Sequence, residues 1–259
     1  MGTLIVIPAR LGATRLPRKP LRLLGGEPLV VRVWQRVSAM QLADAVVVAT
    51  DSSEVADAAR AAGARVALTS ADHPSGTDRV AEVANSAEFR GYDTFVNVQG
   101  DEPFIGVDAV GGALSQVTSG KYPVGTAACR AGAEILANPD VVKVVTDSHG
   151  RALYFSRAPI PFLREAGDRA LRDGLVRQHL GVYAYTRDAL RRWVALPPHA
   201  LEVSERLEQL RALADGLAIG VTVVPHSQAA RGIDTEEDLA AANARWSSVN
   251  PSREPAGTP

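Results

Sequence analysis

Cysteine is nearly missing from this chain of 259 residues, with Cys129 alone, and lysine is scarce: only Lys19, Lys121 and Lys143 stand among 28 cationic residues. One thiol excludes an intramolecular disulfide framework and a cysteine-built zinc site, and it suits a reducing compartment. Net charge is missing too, at −1, so no overall field draws the chain to nucleic acid or an anionic membrane. Any basic patch is therefore local. No long hydrophobic run opens the sequence: Leu4 to Pro8 is soon followed by Arg10, too short for a signal or a membrane span. The expectation is a cytoplasmic protein with no nucleic-acid partner and no membrane insertion. Neither G-x-G-x-x-G nor G-x-x-x-x-G-K-[ST] occurs, and the one Gly-Lys pair, Gly120 and Lys121, is followed by Tyr122. A nicotinamide oxidoreductase and a P-loop NTPase are disfavoured.

What is present is an alternation of short Val/Ile-rich runs and amphipathic segments. "TLIVIP", "AVVVAT", "RVALT" and "TFVNV" read as strands, and the stretches beginning "EPLVVRVW", "SSEVADAA" and "SGTDRVAE" read as helices between them. This β-α-β-α-β-α-β order predicts an α/β fold with a mostly parallel central sheet and helices on both faces. From about Gly125 to Arg192, "VGTAACR", "DVVKVVTD", "ALYFSR" and "HLGVYAY" read as an antiparallel extension carried on that core. Helical patterning resumes in "ALEVSERLEQLRALADG", then a strand, then "GIDTEEDLAAANARW" with Thr235 as N-cap and Asp238 at capping-box distance. The reading is one domain over residues 1–246, with a core at about 1–124 and 200–246, the antiparallel part at about 125–199, and a disordered tail at 247–259.

Ligands of such sheets bind outside the carboxyl ends of the strands, and polar groups gather there. Arg10, Arg15 and Lys19 sit on a Gly- and Pro-punctuated loop after the first strand, where guanidinium forks and an ammonium suit a polyphosphate. Asp101 in "VNVQGDEPFI" offers a carboxylate opposite that loop; Mg²⁺ favours one or two protein carboxylates together with phosphate oxygens. Ser75, Gly76 and Thr77 open a helix, where free N–H groups suit an anion, the edge of a base or a plain cap. Asp234 before the last helix, and His179 and Tyr183 on an apolar strand, are equally compatible with capping and packing.

Together the segments "IPAR", "TRLP-KPL", "VATD", "ADHPSGTDRVAEV", "VNVQGDEP", "NPDVVKVV", "ALYFSR", "HLGVYAY", "LEQLR" and "GIDTEEDL" resemble, in order, the 3-deoxy-manno-octulosonate (Kdo) cytidylyltransferase family, over about Leu4 to Asn243. The resemblance implies a nucleotide-diphospho-sugar transferase-like fold and an enzyme that joins CTP to Kdo, giving CMP-Kdo and diphosphate for lipopolysaccharide synthesis, with Mg²⁺ and as a homodimer. It implies that Arg10, Arg15 and Lys19 grip the triphosphate, that Ser75, Gly76 and Gln99 lie along the cytidine, and that Asp101 and Asp234 hold the metal. Arg10, Lys19 and Asp101 form the catalytic set. Arg157, His179, Tyr183, Glu208 and Gln209 match positions that line the Kdo pocket, with Arg157 near the sugar carboxylate. Two positions depart from the family: Ala13 stands where Ser is common, and Arg18 where Gly is common. A backbone needing φ > 0 at Arg18 costs about 1–2 kcal/mol for a residue with a Cβ.

Alternatives are a cytidylyltransferase for 8-amino-Kdo or a sialic acid, and a non-catalytic nucleotide-binding protein on the same fold. A glycosyltransferase is more distant, because no two aspartates lie two positions apart to form its usual Asp-x-Asp motif.

Overall fold

Leu4, Ile5, Val6 and Ile7 are consecutive and all fully buried, the pattern of a strand covered on both faces. They form the middle of β1 (Gly2–Ala9) in a computed structural model that describes residues 2–12, 15–225 and 232–249. Ala13 lies outside the described residues. The remaining strands are β2 (Leu23–Leu24), β3 (Glu27–Pro28), β4 (Ala45–Thr50), β5 (Arg65–Leu68), β6 (Tyr92–Asn97), β7 (Val124–Arg130), β8 (Lys143–Thr146), β9 (Ala152–Ser156), β10 (Arg177–Thr186) and β11 (Ile219–Val224). The helices are α1 (Leu29–Ser38), α2 (Ser53–Ala61), α3 (Gly76–Asn85), α4 (Val107–Thr118), α5 (Arg169–Gly174), α6 (Arg187–Ala195), α7 (Ala200–Glu205), α8 (Gln209–Ala214) and α9 (Glu236–Val249).

The main sheet runs β11-β7-β10-β6-β1-β4-β5, with β8 on β10 and β9 on β8. β1 pairs in parallel with both β4 and β6, and β11 in parallel with β7. Alternate residues of β1 feed two cores. Leu4 and Val6 pack on the side of α3 and α6 with Val80, Ala84 and Trp193, whereas Ile5 and Ile7 pack on the side of α1 and α4 with Val33 and Ala109. The expected parallel α/β sheet with helices on both faces is therefore present. Because the chain leaves β1 for β4 on one side and returns to β6 on the other, the β1/β6 edge is the topological switch point, where α/β sheets bind ligands.

Four features differ from the sequence reading. The antiparallel part is not wholly peripheral: β10 lies inside the sheet between β6 and β7 and is antiparallel to both, and only the β8–β9 hairpin extends beyond. Helix α4 was not legible as a helix because it carries Gly111 and Gly112, poor helix formers. A Cβ on Gly112 would lie 2.7 Å from Thr222 Cγ2, so the glycine is what lets α4 press onto β11. The stretch 200–216 breaks into α7 and α8 at Arg206, which takes the left-handed conformation with φ 54°. The last helix continues through 247–249, so those three residues belong to it rather than to the tail; 250–259 lie outside the described residues.

Candidate active site

The N-cap expected at Thr235 is made, and α2 is capped by Ser52. Ser52 accepts from the Val55 amide at the start of α2. Thr235 Oγ1 accepts from the Asp238 amide at 3.1 Å, while Asp238 Oδ2 accepts from the Asp234 and Thr235 amides at 3.1 and 3.0 Å. That cap fixes the turn carrying Asp234. Helix α9 is tied to the loop after β1 by a fork from Arg22 to Glu236 (2.5 and 2.8 Å) and by Asn243, whose Oδ1 accepts from the Gly25 amide at 2.9 Å. Across the switch point, a Cβ on Gly100 would lie 2.7 Å from Pro8 O; glycine lets the segment after β6 close against the end of β1.

These constraints bring distant charges together. Lys19 Nζ donates to Asp101 Oδ2 at 2.5 Å and to Asp234 Oδ1 at 2.9 Å, and Arg15 Nη2 lies 3.1 Å from Asp234 Oδ2. Burial opposes the Lys19 charge, yet Asp101 and Asp234 outweigh it and raise its pKa. Two carboxylates thus converge on one cation. Among the described residues no group of three or more His, Cys, Asp or Glu forms a metal cage; two carboxylates beside a phosphate site are the set Mg²⁺ uses. Glu102, which sequence reasoning did not select, stands beside them, and burial together with the Asp101 and Asp234 charges pushes its carboxyl up to about 8.

A cavity of about 350 Å³ is lined by Arg10, Arg15, Lys19, Ser75, Gly76 and Gln99, with Asp101 and Asp234 at its border. Every residue expected on the nucleotide is present there. Arg79 was missed: it is 2% exposed, lines this cavity, bonds Thr69 Oγ1 and lies 3.5 Å from Asp51 Oδ2. Its only signal was Asp51 at the end of β4. Arg18 has φ 57°, so the position that the family fills with Gly is indeed left-handed here. Its side chain turns away from the cavity to a bidentate pair with Glu54 of α2. Arg18→Gly is expected to leave the KM for CTP within twofold; a larger rise in a steady-state assay would place the guanidinium on the nucleotide.

A second cavity, of about 490 Å³, is lined by Arg157, His179, Tyr183, Glu208 and Gln209, and shares Gln99, Asp101 and Asp234 with the first. Burial pushes His179 down to about 3, so its ring is neutral at physiological pH. Thr126 Oγ1 donates to Val182 O at 2.7 Å, and its lone pair then accepts from His179 Nε2–H at 3.0 Å, leaving Nδ1 as an acceptor. Tyr183 is buried and its hydroxyl lacks a protein partner among the described residues. Glu208 Oε1 accepts from Ser75 Oγ (3.2 Å) and Trp193 Nε1 (3.1 Å), and Oε2 from Thr77 Oγ1 (3.1 Å). Trp193 was not selected from sequence; it closes the cavity behind Glu208.

The chain as a whole is similar to known proteins. The family model described as Cytidylyltransferase matches residues 4–219. A 3-deoxy-manno-octulosonate cytidylyltransferase of Gemmatimonas aurantiaca is 62% identical over 246 residues, covering 95% of each chain. One of Leptothrix cholodnii is 50% identical, covering 91% of this chain and 88% of its own. Among solved structures, a CMP:2-keto-3-deoxy-manno-octonic acid synthetase complexed with CTP superposes with a TM-score of 0.88 at 37% identity, covering 96% of this chain and all of its own. A 4-diphosphocytidyl-2C-methyl-D-erythritol synthase from Anaerococcus prevotii, 16% identical with a TM-score of 0.60, shares the fold.

Proposed function

The chain belongs to the family of 3-deoxy-manno-octulosonate cytidylyltransferases, and on that premise we propose that its two cavities hold CTP and Kdo side by side. The enzyme joins CTP to Kdo, giving CMP-Kdo and diphosphate. The observation that carries the residue assignment is the shared border: Gln99, Asp101 and Asp234 line both cavities, so a phosphate entering from one meets a hydroxyl entering from the other.

The reaction forms a bond between the anomeric oxygen of Kdo and the α-phosphorus, and breaks the bond from that phosphorus to the oxygen bridging to the β-phosphorus. Diphosphate leaves with the electron pair, and the anomeric proton is lost to solvent or a nearby base. Such a transfer needs positioning and neutralisation of developing charge rather than a protein nucleophile. Arg10, Arg15 and Lys19 line the phosphate end of the first cavity and take the charge of the triphosphate and the departing diphosphate. Ser75, Gly76 and Gln99 border the space for the nucleoside. Asp101 and Asp234 would hold Mg²⁺, which when bound supplies a Lewis acid for the phosphates and the attacking hydroxyl. Arg157 faces the Kdo carboxylate, and neutral His179 and the unpartnered Tyr183 hydroxyl read the sugar hydroxyls. The test is diphosphate release with CTP and Mg²⁺, comparing Kdo, 8-amino-Kdo, N-acetylneuraminate and no sugar. Release with Kdo is expected; release only with another sugar overturns the substrate, and none with any sugar overturns the activity.

Leu153, Phe162, Leu171 and Leu175 are 51%, 82%, 68% and 51% exposed. Four exposed apolar side chains within 153–175 support the proposal of a homodimer formed through this part. No helix among the described residues is long and apolar enough to cross a membrane. Light scattering is expected to give the mass of a dimer, and Phe162→Glu to shift it towards the monomer. A wild-type monomer at assay concentration overturns this.

A further inference from the structure

Lys143 is the most unusual ionisable group outside the reacting centre: it is 0% exposed and reaches no carboxylate. Its three ammonium hydrogens go to three backbone carbonyls, Asn138 O at 2.9 Å, Val141 O at 2.7 Å and Arg157 O at 2.5 Å. Those bonds use its full donor capacity. Burial and the charge of Arg157 pull its pKa down, yet the ammonium form is the one these carbonyls fit. A buried cation with no carboxylate in hydrogen-bonding reach, Glu205 acting on its charge only from further off, is costly, and packing alone would favour a neutral residue of similar length.

The three carbonyls identify what that cost secures. Asn138 and Val141 flank the turn before β8, whose Pro139 carbonyl accepts from Arg157 Nη1 at 2.8 Å. Arg157 itself follows directly on β9. On its other side Glu205, at the end of α7, accepts from the Arg157 amide at 2.8 Å and from Ser156 Oγ at 2.6 Å, while the Glu205 carbonyl accepts from Arg157 Nε at 2.9 Å. The Arg157 backbone is therefore gripped at its C=O by a buried base and at its N–H by an acid. Two edges of its guanidinium are also fixed on main-chain carbonyls.

We propose that Lys143 and Glu205 are positioning residues for the acidic sugar, acting together as a clamp that holds Arg157 in one orientation at the second cavity. This rests on Arg157 being a sugar ligand. A guanidinium fixed in advance loses little freedom when a carboxylate binds. A guanidinium on a loosened strand end would have to be ordered at each binding event. The clamp acts on the sugar and leaves the nucleotide cavity untouched, since neither Lys143 nor Glu205 lines it.

The test compares Lys143→Met, Glu205→Gln and Arg157→Ala with the wild type, by steady-state kinetics in both substrates and by amide hydrogen exchange of the ligand-free protein. Lys143→Met and Glu205→Gln are expected to raise the KM for Kdo at least tenfold with the KM for CTP within twofold, and to speed exchange in peptides covering 152–160. Glu205→Gln, at a partly exposed helix end, reads the same clamp if Lys143→Met does not fold. Unchanged exchange in 152–160, or KM values for CTP and Kdo rising together, overturns the clamp. Arg157→Ala with a normal KM for Kdo overturns instead the reading of Arg157 as the sugar ligand, whatever the exchange data show.

Discussion

Asp101→Asn is expected to abolish turnover, lowering diphosphate release by ~10³-fold or more, while the protein keeps its circular dichroism spectrum and cooperative melting. The magnitude follows from what the carboxylate does at the junction of the two cavities. Loss of a single preorganised electrostatic contact to a reacting group commonly costs ~10²–10³ in rate, and here the same group also pairs with Lys19 and would ligate the metal. The amide keeps shape and volume but not charge, so folding is spared. Asp101 is partly exposed, with 24% of its side chain accessible, which further limits the effect on stability. Asp234→Asn is expected to behave alike, because its oxygens meet both Lys19 and Arg15. Near-normal release by Asp101→Asn would refute its place on the metal.

Glu208→Ala is expected to raise the KM for CTP and the KM for Kdo together, each by ~10-fold or more, and to destabilise the fold by ~2–4 kcal/mol, since, while Ser75 keeps Asp78, it leaves the buried Thr77 hydroxyl and Trp193 indole N–H without their acceptor. Its carboxylate ties Ser75, in the nucleotide cavity, to Thr77 and Trp193, in the sugar cavity. Burial raises the pKa of Glu208, and the Thr77 and Ser75 hydroxyls act against that rise; Glu208→Gln, which keeps one acceptor oxygen, is expected to recover part of the loss. A rise confined to Kdo would make Glu208 a simple sugar contact. The two outcomes separate in a single pair of saturation curves.

Much of this site was legible in sequence because strand ends are. The alternation of apolar runs placed Arg10 and Asp101 at the carboxyl ends of strands that prove to be neighbours, β1 and β6, and Thr235 with Asp238 announced the cap beside Asp234. Residues whose work is done through tertiary contacts left no such trace. Arg79 reads as an ordinary helix arginine until α3 is seen to bury it against Asp51 and Thr69. Trp193 lies on α6, a helix whose apolar face packs against α3 and β10, and Glu102 acquires its high pKa from burial in the folded site, with the Asp101 charge beside it and that of Asp234 brought in from the far end of the chain. The β10 placement failed for a related reason: local pattern identifies a strand, but its neighbours are chosen by pairing with Asn97 and Thr126, which no local window contains.

The position of β10 also limits how the molecule can be cut or assembled. Deleting residues 125–199 to isolate a nucleotide-binding fragment would take out β7 and β10 together and cut β11 off from β6, β1, β4 and β5. The β10 ladder joins residues far apart along the chain, and such non-local pairings form slowly because loop closure precedes their reward. Amide protection during refolding is therefore expected to appear in β1, β4 and β5 before it appears across β6, β10 and β7. The second cavity, lined by Asn97 of β6 and by His179 and Tyr183 of β10, would come into being in that late step.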